Sequence, residues 1–234
     1  MTINLMDPPK KEVLDHGFVR LVDCMGSDLS IVRAARVSYD AEWRTGESES
    51  ADSKLIGYLL RNKHFSPFES VAFTFEIKCP IFVARQWHRH WSWRFNEVSA
   101  RYTELPEEFY IPELNKITTQ STDNKQVRTE EQHGYADGIQ RILQRNCKQL
   151  FREYKELLEI GCPRELARSV LPLGTYTRFF GTTNLRSLLH FMDLRIHPHA
   201  QYEIRVYGEA LRELVMPLVP ITIQYWDLLR ATHE

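Results

Sequence analysis

The sequence predicts an α/β protein of the α+β type, folded as a single domain over residues 1–234. Two patterns carry that expectation. Val71, Phe73, Phe75 and Ile77 alternate with Ala72, Thr74, Glu76 and Lys78, the period of two that marks a strand with one buried face. Ile139, Ile142, Leu143, Cys147, Leu150, Phe151, Tyr154, Leu157 and Leu158 recur at the spacing of a long amphipathic helix. With 43% hydrophobic and 26% charged residues, the composition is that of an ordinary globular domain with one substantial core.

In chain order, Gly17 to Asp23 is rich in large apolar residues, with Arg20 and Asp23 among them, and reads as a largely buried strand. Ser27 and Asp28 can cap a helix carrying Leu29, Ile31, Val32 and Ala35 that stops near Ser38. The acidic stretch from Asp40 to Ser50, broken by Gly46, reads as a mobile loop. Leu55, Ile56, Leu59 and Leu60 mark one face of a helix from about Ala51 to Asn62. His64-Phe65-Ser66-Pro67 is a turn before the alternating strand, which Pro80 ends. Pro80 also suits the first turn of a helix from Ile81 to about Trp91, with Arg85 and Arg89 on one face, after which the chain runs as loop by Asn96. Lys116 to Gly134 is polar and reads as a flexible excursion before the long helix, which Gly161 stops. Pro163 opens a short helix carrying Arg168, and Leu171-Pro172-Leu173-Gly174 breaks it. Thr175 to Thr183 is a β-branched and aromatic strand, and Asn184 then caps a helix to about Arg195 on which Arg186 and His190 share a face. Beyond His197-Pro198-His199, Ile204, Tyr207, Leu211 and Leu214 make another amphipathic helix before Pro217. No internal repeat is visible.

A net charge of −1 excludes a protein whose whole surface is a nucleic-acid clamp, so anion binding must be local. Cys24, Cys79, Cys147 and Cys162 form no C-x-x-C pair, and the N-terminal residues show no signal or targeting pattern, so a cytoplasmic location with reduced thiols is expected. No apolar run approaches the roughly 20 residues that span a bilayer, so no membrane insertion is expected.

Arg85 to Tyr102, RQWHRHWSWRFNEVSARY, holds the densest chemistry. Arg85, Arg89, Arg94 and Arg101 stand with His88 and His90 against one carboxylate, Glu97, and among Trp87, Trp91 and Trp93. Guanidiniums gathered beside aromatic rings make poor core, and the usual reason to collect them is an anionic ligand with a flat ring, such as a nucleotide.

Arg85-Gln86-Trp87-x-Arg89-His90, followed by Asn96-Glu97-x-Ser99-x-Arg101-Tyr102, resembles the R-H-R-x-x-S-x-N-E-x-S-x-R-Y signature of the flavin-dependent thymidylate synthases, the thymidylate synthase-complementing family. Trp91 stands where that family has its second arginine, and Arg94 where it has its first serine. The resemblance continues through Arg168 in A-R-x-V-L-P-L, Tyr176-Thr177-Arg178-Phe179-Phe180, Asn184-x-Arg186-Ser187, Leu194-Arg195 and His199-Ala200-Gln201, so it covers about Gly17 to Gln201 with its motifs in order. It implies mixed helices around a mainly antiparallel sheet. The implied activity is methylation of dUMP to dTMP, with 5,10-methylenetetrahydrofolate as one-carbon donor and FAD reduced by NADPH. The implied assembly is a homotetramer with flavins at subunit interfaces. Positions matching those that hold dUMP are Gln86, Trp87, His88, Arg89, Glu97, Val98, Ser99, Ala100, Arg101, Arg168 and Arg195. Flavin positions correspond to Ser66, Arg89, His90, Trp91, Glu97, Asn184, Arg186 and His190, the last standing where the family has asparagine, with Ser38 and His64 nearby.

Adding a methyl group at C5 of uracil needs electron density there, and one route adds a cysteine to C6. None of the four cysteines falls in the arginine-rich motifs, so the resemblance points to the other route, in which reduced flavin delivers a hydride. A guanidinium at the polar edge of the pyrimidine would stabilise the charge that builds there, and Arg195 is the catalytic candidate. Two rival readings stand beside this one. His88-x-His90 and His197-x-His199, with Glu203 beyond, permit a metal-dependent hydrolase, although i and i+2 diverge on a helix and no metal is expected. Arginine interleaved with tryptophan permits a module that stacks single-stranded bases, against which the near-neutral charge counts, so no nucleic-acid partner is expected.

Overall fold

The computed structural model describes residues 8–232, so the first seven residues read for targeting signals lie outside the described residues. Five strands form one sheet: β1 (Lys10–Val13), β2 (Gly17–Met25), β3 (Ala72–Pro80), β4 (Arg94–Glu97) and, later in the chain, β7 (Tyr176–Asn184). Their order is β1-β2-β3-β7-β4, and every neighbouring pair is antiparallel. A separate hairpin pairs β5 (Thr118–Gln120) with β6 (Arg128–Gln132). The helices are α1 (Asp28–Arg36), α2 (Glu49–Arg61), α3 (Ile81–Trp87), α4 (Ala136–Glu159), α5 (Arg164–Ala167), α6 (Leu185–Arg195), α7 (Tyr202–Val215) and α8 (Pro220–Ala231).

Alternation decides which side of the sheet is covered. Val19 and Leu21 of β2, Phe73, Phe75 and Ile77 of β3 and Phe179 of β7 face one core with Ile31, Ile56, Trp87, Phe191, Tyr207 and Ile223 from the helices. On the other face Glu76 stays buried because Arg20 from β2 and Arg178 from β7 clamp it, at 3.0 and 3.3 Å. A smaller core of Phe151, Tyr154 and Ala167 lies between α4 and α5.

Several expectations need correction. The helix after Pro80 ends at Trp87, and Arg94–Glu97 is a strand rather than the approach to a loop. The cause is burial: Trp87 and Trp93 both pack on Phe191, yet residues six apart on a helix lie roughly 240° around it. The chain must turn at 88–93 to bring both indoles to one core, which places Arg89 in the turn, off the helix face of Arg85. The excursion from Lys116 to Gly134 contains the β5–β6 hairpin, tied by Thr119 to Thr129 at 2.6 Å and by the Gln120 amide to the Val127 carbonyl at 2.9 Å. The stretch after α1 holds two 3-10 turns, Val37–Tyr39 and Glu42–Arg44, with Gly46 N–H donating to Asp52 and Arg36 paired to the same carboxylate at 2.6 Å.

Candidate active site

The arginine motif runs from α3 (Arg85) through the turn (Arg89) and β4 (Arg94) into the loop beyond (Arg101), and the strand pairing aims it. β4 pairs with β7 through Glu97↔Phe179, and the Val98 amide continues the ladder to the Arg178 carbonyl at 2.9 Å. Thr177, one pleat along β7, donates its hydroxyl to Glu97 at 2.5 Å. His88 packs against Phe95 with ring centres 4.6 Å apart and lies 4.0 Å from Glu97. The loop beyond turns on Ser99, whose carbonyl accepts from the Tyr102 amide and whose hydroxyl accepts from the Arg101 amide. Ala100 is buried beneath that turn. Arg101 reaches Glu165 at 3.9 Å, which ties the motif to the segment carrying the exposed Arg168.

Arg195, the last residue of α6, meets the other side of the same turn. Its Nε donates to His90 Nε2 at 3.1 Å, and its Nη2 donates to the Gln86 carbonyl at 3.4 Å. His90 is buried, packed on Phe191 at 4.7 Å, and must be neutral to accept that bond. Burial first, then Arg195 and His190, lower its pKa from 6.5 to about 4. Burial and the neighbouring Arg89 also pull Arg195 below the usual guanidinium range. Two guanidiniums held close raise the local positive potential, which favours an anion. Arg85, Arg89 and Arg168 have no salt bridge to any described residue and are exposed, so their charge is available to a ligand.

Of the residues matched to the flavin, Asn184, Arg186 and His190 belong to α6 and its cap, Arg89, His90 and Trp91 to the turn after α3, and Glu97 to β4. Asn184 caps the helix by accepting from the Ser187 amide at 2.9 Å, Arg186 pairs with Glu69 at 2.5 Å, and His190 lies on the exposed side with its ring 6.1 Å from that of His90. Ser66, exposed, opens the 3-10 turn that contains Glu69, and Trp91 is 85% exposed beside His90. Exposed Arg186, Arg89 and Trp91 with amide and imidazole donors suit a pyrophosphate and a flat ring, so the residue set fits a flavin dinucleotide. The side chain of Trp87, by contrast, is fully buried between Phe179, Phe191 and Tyr207 and serves the core.

The sequence model of the thymidylate synthase complementing protein family matches residues 20–221. The chain belongs to that family. Among its relatives, a flavin-dependent thymidylate synthase of Treponema denticola is 48% identical over 212 residues, covering 90% of this chain and 79% of that one. One from Thermotoga neapolitana is 46% identical over 216 residues, covering 92% and 93%. The fold is similar to a solved UMP/dUMP methylase, PolB from Streptomyces cacaoi bound with 5-Br dUMP, at a TM-score of 0.84 and 35% identity over 93% of this chain and 97% of that one.

Within this family member the cysteines are poorly placed to act as nucleophiles. Burial pushes the Cys79 and Cys147 thiols up, and burial with Asp23 beside it raises Cys24 to about 11. Cys162 hydrogen-bonds the Pro163 carbonyl at 3.8 Å, at the start of α5. Nor do His88 and His90 converge: His88 turns to Phe95 and Glu97 while His90 turns to Phe191 and Arg195, and the rings of His197 and His199 meet at 4.8 Å while Glu203 is taken up by Arg128, Tyr110 and Gln201. No cluster of three or more metal-ligating side chains occurs among the described residues. Sequence reasoning missed Thr177 as the partner of Glu97 and Glu69 as the partner of Arg186, because each meets its partner across a distance no local pattern encodes.

Proposed function

We propose that this chain is a flavin-dependent thymidylate synthase that converts dUMP to dTMP with 5,10-methylenetetrahydrofolate as one-carbon donor, FAD as cofactor and NADPH as reductant. The observation that carries this is Arg195 held against neutral His90 beside Arg89, within a chain whose relatives are flavin-dependent thymidylate synthases. The structural neighbour bound with 5-Br dUMP supports dUMP as the substrate. We read residues 1–234 as one catalytic domain that works as a cytoplasmic homotetramer with flavin at subunit interfaces. No described helix is long and apolar enough to cross a membrane.

Arg89, Arg101 and Arg168 bind the phosphate, and the Ser99 turn with Val98 and Ala100 shapes the cradle around it. Gln86, His88 and Glu97 orient the sugar and base, Glu97 being fixed by Thr177 and Gln86 by its own hydrogen bonds. Ser66, His90, Trp91, Asn184, Arg186 and His190, with Arg89 and Glu97, hold the flavin. When bound, the reduced flavin supplies a hydride. Arg195 lies at the pyrimidine edge, where its guanidinium stabilises negative charge as the ring becomes nucleophilic at C5. His90 keeps that guanidinium aimed by accepting from Nε, which leaves its Nη groups for the ligand and the Gln86 carbonyl.

The visible spectrum of the purified protein tests this. Oxidised-flavin bands that bleach with NADPH and return when dUMP and methylenetetrahydrofolate are added support it. A colourless protein that binds no added FAD, with activity restored by a divalent metal, would favour the hydrolase reading instead.

A further inference from the structure

Behind the arginine site, a line of polar contacts runs inward from Gln86. Gln86 Nε2 donates to Gln201 Oε1 at 2.6 Å, and Gln201 Nε2 donates to Glu203 Oε2 at 2.8 Å. Glu203, on α7, is 2% exposed. Its other oxygen accepts from Arg128 of β6 at 2.9 Å and from the Tyr110 hydroxyl at 3.2 Å. Burial, and then Glu203 itself, push the Tyr110 hydroxyl up, so it stays a donor.

The polarity of this line is determined at its inner end. A carboxylate can only accept, whereas an amide can present either its NH2 group or its oxygen. Glu203 therefore turns the NH2 of Gln201 toward itself, which leaves the Gln201 oxygen facing Gln86. Gln86 must answer with its own NH2. Its side-chain oxygen, Oε1, unlike the main-chain carbonyl that Arg195 meets, accepts no hydrogen bond from any described residue, so it points away from the line.

We propose that Glu203 is a positioning residue of the nucleotide site: acting through Gln201, it holds the Gln86 amide with its carbonyl oxygen outward, so that Gln86 accepts from an N–H or O–H of the nucleotide. The proposal rests on the dUMP reading above. It assigns no contact with substrate to Glu203 and gives the β5–β6 hairpin a purpose, since Arg128 anchors the carboxylate from that hairpin.

The test is calorimetric titration of dUMP into flavin-loaded protein, with flavin content and thermal unfolding measured alongside. A parent protein that binds no dUMP sinks both readings; one that binds it confines the question to the relay. In Glu203→Gln the new oxygen stays with Arg128 and Tyr110, so its NH2 faces Gln201 and reverses both downstream amides. We expect dUMP affinity to fall by about tenfold to a hundredfold. The exchange Gln201→Glu with Glu203→Gln puts an acceptor back beside Gln86, and affinity should return to within about threefold of the parent. A merely structural Glu203 would not be rescued, because the exchange still leaves Arg128 without its carboxylate. Parent-like affinity in the single variant, or a double variant no better than the single, overturns the proposal. Should either variant fail to fold, Gln201→Met decides: it leaves Glu203 with Arg128 and Tyr110 but frees Gln86, so dUMP binding should weaken several-fold at unchanged flavin content, and unchanged binding overturns the proposal.

Discussion

Arg195 and Arg89 lie close enough for one to depress the other's pKa, yet they differ in what fixes them. Arg195 is held from behind by His90 and beside the Gln86 carbonyl, a preorganised donor, while Arg89 is exposed and free of carboxylates. A preorganised donor matters most where charge grows during reaction, and an exposed cation binds ground and transition states alike. Arg195→Ala should therefore slow single-turnover flavin oxidation by roughly a hundred- to thousandfold, about 3 to 4 kcal/mol, at saturating dUMP. Arg89→Ala should mainly raise the Kd for dUMP in a titration. The His90 partner makes a pH prediction. Its folded pKa is depressed to about 4 from 6.5, so between those values the unfolded chain takes up a proton that the folded chain refuses. The contribution is complete above the unfolded value and is lost as pH falls toward the folded one. In urea unfolding, the parent should lose about 2 kcal/mol more between pH 7 and pH 5 than His90→Gln, which keeps an acceptor for Arg195. Equal losses would mean that His90 titrates normally.

Among the elements, the turn at 88–93 and helix α8 show why some of the fold was legible and some was not. Strand β3 and helix α4 announce themselves because their apolar residues repeat at the period of each element, although Ile142 and Leu143 of the α4 stripe are exposed. The β5–β6 hairpin is held by a threonine pair and a glutamine amide rather than by apolar alternation, so it reads as unstructured polar chain. Helix α8 has Val219 at its cap position, whose side chain cannot accept from the free amides of the first turn. Asp28 of α1 does so instead, taking the Ile221 amide at 2.8 Å, the Thr222 amide at 3.2 Å and the Thr222 hydroxyl at 2.6 Å. Read locally, Asp28 had seemed a cap for its own helix. Asp28→Ala should cost about 2 to 3 kcal/mol in chemical denaturation, more than an exposed cap, because three donors, two of them buried, lose their acceptor. Arg94, standing where the family has serine, donates through Nη1 to the Trp91 and Trp93 carbonyls and closes the turn. Arg94→Ser should therefore bind dUMP within about tenfold of the parent, roughly 1.4 kcal/mol. A loss of a hundredfold, about 2.8 kcal/mol, would show that the arginine had become part of the phosphate site.

For the whole molecule, the arginine motif was legible because its residues are contiguous, whereas the contacts that aim them join residues far apart in sequence. Gln86 meets Gln201, Glu97 meets Thr177 and Arg195 meets His90 only after β7, α6 and α7 have packed on one sheet. That assembly supports a nucleotide site built from guanidiniums, with the thiol nearest Glu97, Cys79, fully buried and pushed up by that burial. The most direct test of this account is a single turnover. Anaerobic protein, its flavin reduced by NADPH in the presence of a metal chelator, is mixed with dUMP and methylenetetrahydrofolate, and dTMP and oxidised flavin are quantified together. The account predicts dTMP in step with oxidised flavin; flavin-loaded, dUMP-binding protein that forms no dTMP, or that forms it while its flavin stays reduced, would contradict it.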